Sequence, residues 1–306
     1  MKLSRRSILT AVVSACALGA IIAGVVVINS TGAGSDAVGT PQPSTQAPSP
    51  SPVATSASPP AIAPPYVAVT AEAIAALPEA NYSAVISGLI PYEADEVPEA
   101  MTAVYRIASD QPLFDADRLT PVARIAAKNF LLEDSILVPV AFDGDWALVL
   151  TPSRQSLPSE NDEAPAQTAA WIPAASLEKV QDLRTHVVVS VGEETVSIVD
   201  GAGTVEQSFD AGVGAADTPT PVGSLGYLQA RYLDPAQDQE VYPIALTSLH
   251  SDAADEPYGG SDGGLIGMHF QTDRNGAVSH GCIRLSGEAI TALNALPLGT
   301  PVILKA

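Results

Sequence analysis

Apolar residues fill positions 8–28 almost without a break, behind Lys2, Arg5 and Arg6. A helix needs about 20 such residues to cross a bilayer. With the positive flank first, the N-terminus stays cytoplasmic and the rest of the chain lies outside. The pattern then disappears. Residues 31–65 are Ser, Thr, Ala, Gly and Pro with repeated Ser-Pro steps. Such a stretch buries too little apolar surface to fold, and proline keeps it extended as a stalk. Periodicity returns at Tyr66. Residues 70–77 predict a short helix with Thr70 as N-cap and Glu72 in its first turn. Residues 135–140 and 146–150 are β-type runs flanking Asp143-Gly144-Asp145, a hairpin signal. Trp171-Ile172-Pro173 predicts a further strand.

From about residue 184 the pattern is again β. Residues 186–191 and 195–200 predict strands joined through Gly192-Glu193-Glu194. Asp200-Gly201-Ala202-Gly203 turns the chain into a third, 204–209, giving an antiparallel meander. Residues 286–296 predict a helix capped by Ser286, with Glu288 in its first turn and Ile290, Leu293 and Leu296 on one face. Pro297 and Gly299 end it, and residues 301–305 predict a last strand. The expected chain is therefore mainly β in four parts. These are an apolar anchor or signal helix (1–30), a disordered linker (31–65), an N-terminal domain (66–183) and a second domain (184–306).

Composition narrows the chemistry. Of 306 residues, about 240 are left to fold, enough for one good core or two modest ones. The net charge of -20 argues against nucleic acid or anionic lipid as a partner, because phosphate binding needs clustered Lys and Arg. It suits a soluble acidic surface. The cysteines are Cys16 and Cys282. Cys16 lies in the apolar run, so Cys282 is a lone thiol in an exported chain, which marks it as a candidate reactive group. Two other export readings stand beside the anchor. Ser4-Arg5-Arg6-Ser7-Ile8-Leu9 resembles a twin-arginine signal, and Val13-Ser14-Ala15-Cys16 resembles a lipoprotein cleavage box. All three place the remainder outside the cytoplasm.

The densest chemistry is Met268-His269-Phe270 followed by Ser279-His280-Gly281-Cys282-Ile283-Arg284-Leu285. A nearby imidazole or oriented amides raise the ionised fraction of a thiol. His269 and His280 both lie within thirteen residues of Cys282. Gly281 allows a substrate carbonyl to approach the backbone, and amides around Gly281 and Cys282 can serve as an oxyanion hole. Arg284, two residues on, shares a strand face with Cys282 and can clamp a substrate carboxylate. A zinc site from His250, His269, His280 and Cys282 is chemically possible but lacks the usual short ligand pair. Asp252, Asp255, Glu256 and Asp262 form an acidic loop, read by default as solvated and alternatively as a substrate lid.

Ser-His-Gly-Cys-Ile-Arg with an upstream His at a strand end resembles the signature of the L,D-transpeptidases, the YkuD family. The resemblance extends through HVVVSVGEETVSIVDGAGTVEQSFDAGVG and through TPTPVG, residues 218–223, and covers residues 184–306. It implies a YkuD-like β-sandwich with a short C-terminal helix. It also implies Cys282 as nucleophile, His269 as proton donor and acceptor, and His280, with Ser279, Gly281 and Arg284, at the substrate and oxyanion pocket. The implied reaction is cysteine acyl transfer on peptidoglycan stem peptides, with release of D-alanine and formation of 3→3 cross-links. Carbapenems are then expected as covalent inhibitors. The His-to-Cys loop is shorter than usual, and Phe270 replaces a small residue. The runs GDWALVL and AAWIPAASL resemble a bacterial SH3-like small β-barrel, from about residue 101. That region reads as a spacer with Trp146 and Trp171 in its core, or more sharply as a wall-binding module. Rival classes fit less well. A sortase has its His far before the Cys, an NlpC/P60 peptidase has Cys before His, and a non-enzymatic wall-binding protein has no need of the intact motif.

Overall fold

Short β-type runs punctuated by turn residues give a mainly β chain. The computed structural model describes residues 63–233, 241–256 and 264–306, all in one compact unit. The apolar run, most of the linker and Asp262 lie outside the described residues. Among the described residues no helix is long and apolar enough to cross a membrane.

The Thr70 hydroxyl accepts from the Ala73 amide at 3.3 Å and starts helix α1, Ala71–Ala75. Eight strands follow: β1 Ile90–Pro91, β2 Ala103–Arg106, β3 Gln111–Phe114, β4 Pro121–Ile125, β5 Pro139–Asp143, β6 Trp146–Thr151, β7 Thr168–Pro173 and β8 Glu178–Asp182. They form one sheet in the order β4-β3-β7-β6-β5, with β1 also on β7, and a separate β2-β8 ribbon. The β5-β6 hairpin turns at Gly144, whose φ of 60° favours glycine. Strand β5 starts later than its sequence predicts, because Leu137 exchanges backbone hydrogen bonds with Tyr105 instead. Trp146 is 1% exposed. Its indole donates to the Pro64 carbonyl at 2.7 Å, so the end of the linker is docked. Trp171, expected in the core, is only half-buried, and the Arg118 guanidinium lies 3.7 Å over its ring.

The second region holds β9 Thr185–Ser190, β10 Thr195–Asp200, β11 Val205–Gly214, β12 Ser224–Tyr232, β13 Ile244–His250, β14 Leu265–Phe270, β15 Gly276–Ser279, β16 Ile283–Leu285, helix α2 Gly287–Asn294 and β17 Pro301–Lys305. The predicted meander is present as β9-β10-β11, and Ser286 caps α2 through the Ala289 amide. Strand β11 runs well past the predicted end because it serves two layers. Its first half pairs with β10 and its second half with β15 and β16. Strand β12 does the same, pairing with β17 and then β13. These two strands carry a nine-stranded sheet around into a sandwich. Val187, Val189, Val196 and Ile198 from one layer share a core with Leu228, Leu249, Ile266, Met268 and Ile283 from the other. Helix α2 adds Ala289, Ile290 and Leu293 to that core.

The two folded regions share a further core. Met101, Val104, Val138, Val140 and Leu150 cluster with Leu225, Tyr227 and Ile303. Ser248 donates to the Gln167 side chain at 2.6 Å across the same seam. Burying apolar side chains at about 25 cal/mol per Å² makes such a shared core a substantial part of either region's stability.

Candidate active site

Strand alternation decides which side chains can meet. On β14, Ile266 and Met268 enter the sandwich core, so Leu265, Gly267 and His269 face the other way. On β16, Ile283 and Leu285 enter the same core, so Cys282, just before the strand, and Arg284 face away from it. The two strands are parallel, with Met268 opposite Ile283 and His269 opposite Arg284. One step back, Gly267 lies beside Cys282. His269, Cys282 and Arg284 therefore share one face, around a position with no side chain.

That empty position receives the sulfur. The Gly267 amide donates to Cys282 Sγ at 3.4 Å, and the thiol donates to the Leu265 carbonyl at 3.7 Å. The thiol is 6% exposed. A Cβ at Gly267 would stand 3.9 Å from Sγ and 3.4 Å from Ile244 Cγ2. A methyl there just fits, and a branched side chain would take the sulfur's space.

His269 stands diagonally from the thiol. Neighbouring strands about 4.8 Å apart, with a rise of about 3.3 Å per residue, put the two Cα atoms about 8 Å apart. A thiol and an imidazole leaning together span that distance. The ring's Nδ1–H donates to the Phe270 carbonyl at 3.2 Å, which leaves Nε2 as the basic nitrogen. Burial, aided by the Arg284 charge, lowers the His269 pKa, while the Phe270 carbonyl opposes the shift. The imidazole is thus held neutral near pH 7, as a general base requires.

The loop before Cys282 is locked from two sides. The Ser279 hydroxyl donates to the Cys282 carbonyl at 2.5 Å and accepts from the Gly281 amide at 3.2 Å. Gly281 has a φ of 107°, outside the usual range of a side-chain-bearing residue. Its carbonyl accepts from the Thr220 hydroxyl at 2.8 Å, which itself accepts from the Gly214 amide at 2.9 Å. Thr220, buried in the 218–223 turn, ties that turn to the nucleophile loop. Neither Thr220 nor Gly267 was singled out by the sequence. A glycine inside a strand pattern is the one available sign of a close approach, and it fits Gly267.

Arg284 donates to the Asp273 carbonyl at 3.2 Å, with that carboxylate 3.8 Å away, so it braces the loop after His269. Its Nε is buried with no hydrogen-bond partner among the described residues. His280 is exposed. His250 is elsewhere: fully buried, its Nε2 donates to the Tyr82 carbonyl at 3.0 Å. His186 belongs to β9, two strands beyond β12 in the sheet order. The structure thus gathers His269, Ser279, Gly281, Cys282 and Arg284, and leaves His186 and His250 apart.

Residues 184–304 match the family model for YkuD, the L,D-transpeptidase catalytic domain. No curated protein matches the chain. An L,D-transpeptidase structure from Mycobacterium smegmatis is 17% identical over 72% of this chain and 99% of that one, with a TM-score of 0.34. An L,D-transpeptidase (Yku) from Stackebrandtia nassauensis is 17% identical over 40% of this chain and 56% of that one, with a TM-score of 0.30. The Ldtfm–avibactam carbamoyl enzyme is 20% identical over 40% of this chain, with a TM-score of 0.30, and the chain spans 49% of its length. The chain thus covers about half of the last two structures. Among the described residues the fold is mainly β, with the short helix α2 near the C-terminal end.

Proposed function

We propose that the protein is an extracytoplasmic peptidoglycan L,D-transpeptidase that works through Cys282. The observation that carries this reading is the shared face of His269, Cys282 and Arg284 around Gly267, in a region matching the catalytic-domain family. In the proposed reaction the thiol proton passes to His269 Nε2 as sulfur attacks the carbonyl of the third stem residue. The tetrahedral oxyanion is met by backbone amides at Gly281 and Cys282, the Gly281 amide leaving the Ser279 hydroxyl to do so. Collapse breaks the amide bond, and the imidazolium gives its proton to the departing D-alanine amine. An acceptor amine on a neighbouring stem then attacks the thioester, giving its proton to His269. Sulfur leaves as the thiol and a 3→3 cross-link remains. Arg284 holds a carboxylate of the donor stem, and His280 and Ser279 shape the pocket. No cofactor takes part. The N-terminal apolar run anchors the protein to the membrane, the 31–65 stalk holds it off the bilayer, and the SH3-like region is a spacer.

The test is mass analysis of products after incubating residues 66–306 with purified tetrapeptide muropeptides. Free D-alanine and 3→3 dimers are expected. D-alanine release without dimers would assign hydrolysis instead, and no release at all would refute the reading.

A further inference from the structure

The first folded region contributes a buried cation to the approach of the thiol strand. Arg154 is 3% exposed. Its backbone is pinned by the Ala84 carbonyl at 3.0 Å and the Ile86 amide at 2.9 Å. Its guanidinium donates to three carbonyls of the segment after β13: Ser251 at 2.8 Å, Ala254 at 3.1 Å and Asp255 at 2.9 Å. A second tie runs beside it. The Ser159 amide and hydroxyl donate to the Asp255 carboxylate at 2.9 and 2.6 Å.

The same guanidinium fills the space against Gly264. A Cβ on Gly264, whose φ is 67°, would fall 1.8 Å from Arg154 Nη2. The Gly264 carbonyl accepts from the Ser251 amide at 2.8 Å, which closes the base of the loop. Gly264 is followed directly by Leu265, whose carbonyl faces Sγ, and, past Ile266, by Gly267, whose amide donates to Sγ. Taking a cation out of water costs several kcal/mol unless its donors are well satisfied. A planar five-donor fork meets three carbonyls at once, and a lysine ammonium of different reach does not.

We infer that Arg154 is a positioning residue for Cys282, setting the Leu265 carbonyl and the Gly267 amide around the sulfur through Gly264. This rests on the reading of Cys282 as the nucleophile. It gives the first region a positioning role in addition to its role as a spacer.

The test compares full-length wild-type and Arg154→Lys proteins by second-order alkylation with iodoacetamide, read at Cys282 by peptide mapping. Donation from the Gly267 amide stabilises the thiolate. If the clamp sets that amide, the rate falls by about tenfold in a variant that still melts cooperatively, the loss of one such bond being worth about that factor. A purely structural role predicts the opposite, because a loosened fold exposes the buried thiol and the rate rises. A rise or an unchanged rate overturns the inference. Should Arg154→Lys fail to fold, Ser159→Ala removes the hydroxyl bond of the exposed tie and keeps the amide one, with a smaller fall expected and no fall overturning the inference. Iodoacetamide needs no peptidoglycan, so this result is independent of whether muropeptides are turned over.

Discussion

Acid should open the seam between the two folded regions, and His250 should set the pH at which it does. Burial, aided by the nearby Arg154 charge, pushes the His250 pKa down to about 3, against 6.5 for the free side chain. The carbonyls of Tyr82 and Ser248 oppose this only in part. Between those two values the unfolded chain binds the proton and the folded chain does not. Stability therefore falls as pH drops below about 6.5, by about 1.4 kcal/mol per pH unit, until the folded pKa is reached. At pH 5.0 the His250 contribution is a loss of about 2 kcal/mol relative to pH 7.5, a large share of a typical 5–15 kcal/mol. Burial also lowers the pKa values of His269 and His186, so they add slope in the same window. Urea unfolding at both pH values, for wild type and His250→Gln, isolates His250. Glutamine can still donate to Tyr82 but takes no proton. Wild type should lose about 2 kcal/mol more than the variant between pH 7.5 and 5.0. Equal losses would refute the argument.

Other outcomes follow from the site. His269→Ala should cut turnover of a tetrapeptide stem by about 10²–10⁴, whereas His186→Ala leaves it near wild type, and equal activities would contradict the assignment. Arg284→Ala should raise the donor KM by about 10–100-fold, equivalent to a charge-assisted bond of about 1.5–3 kcal/mol; an unchanged KM would remove the clamp. Gly267→Val should abolish alkylation of Cys282 while Gly267→Ala retains it, and a reactive valine variant would show that the thiol does not sit where the sheet register puts it. A carbapenem should add once to residues 66–306, at Cys282, and Cys282→Ser should form no stable adduct; intact mass and peptide mapping read both.

Much of the second region was legible because its signals are local. Alternating residues and tight turns marked β9, β10 and the start of β11, and Ser286 marked the start of α2. Ser279, Gly281, Cys282 and Arg284 lie within one short stretch, so their chemistry could be read together. Arg154, Thr220 and Gly267 could not be read that way. Each acts across a register or a seam that exists only after packing, so even Thr220 within residues 218–223 and Gly267 beside Met268-His269 show their partners only in the fold. Trp171 misled for a related reason. A tryptophan in a β-run usually buries itself, but here its outward face is covered by the Arg118 guanidinium rather than by the core.

Strand β17 lies between β9 and β12, far from both in sequence. The nine-stranded sheet cannot close until residues 301–305 are available to bridge it. Pairings this distant make folding slow, on a scale of about milliseconds to seconds. During synthesis residues 265–285 are therefore made before the strand that completes their sheet. Until β17 docks, the β14–β16 register that places His269 beside Cys282 belongs to an unclosed sheet. The geometry around Cys282 is complete only with the closing strand, so a chain stalled before residue 301 lacks the finished site.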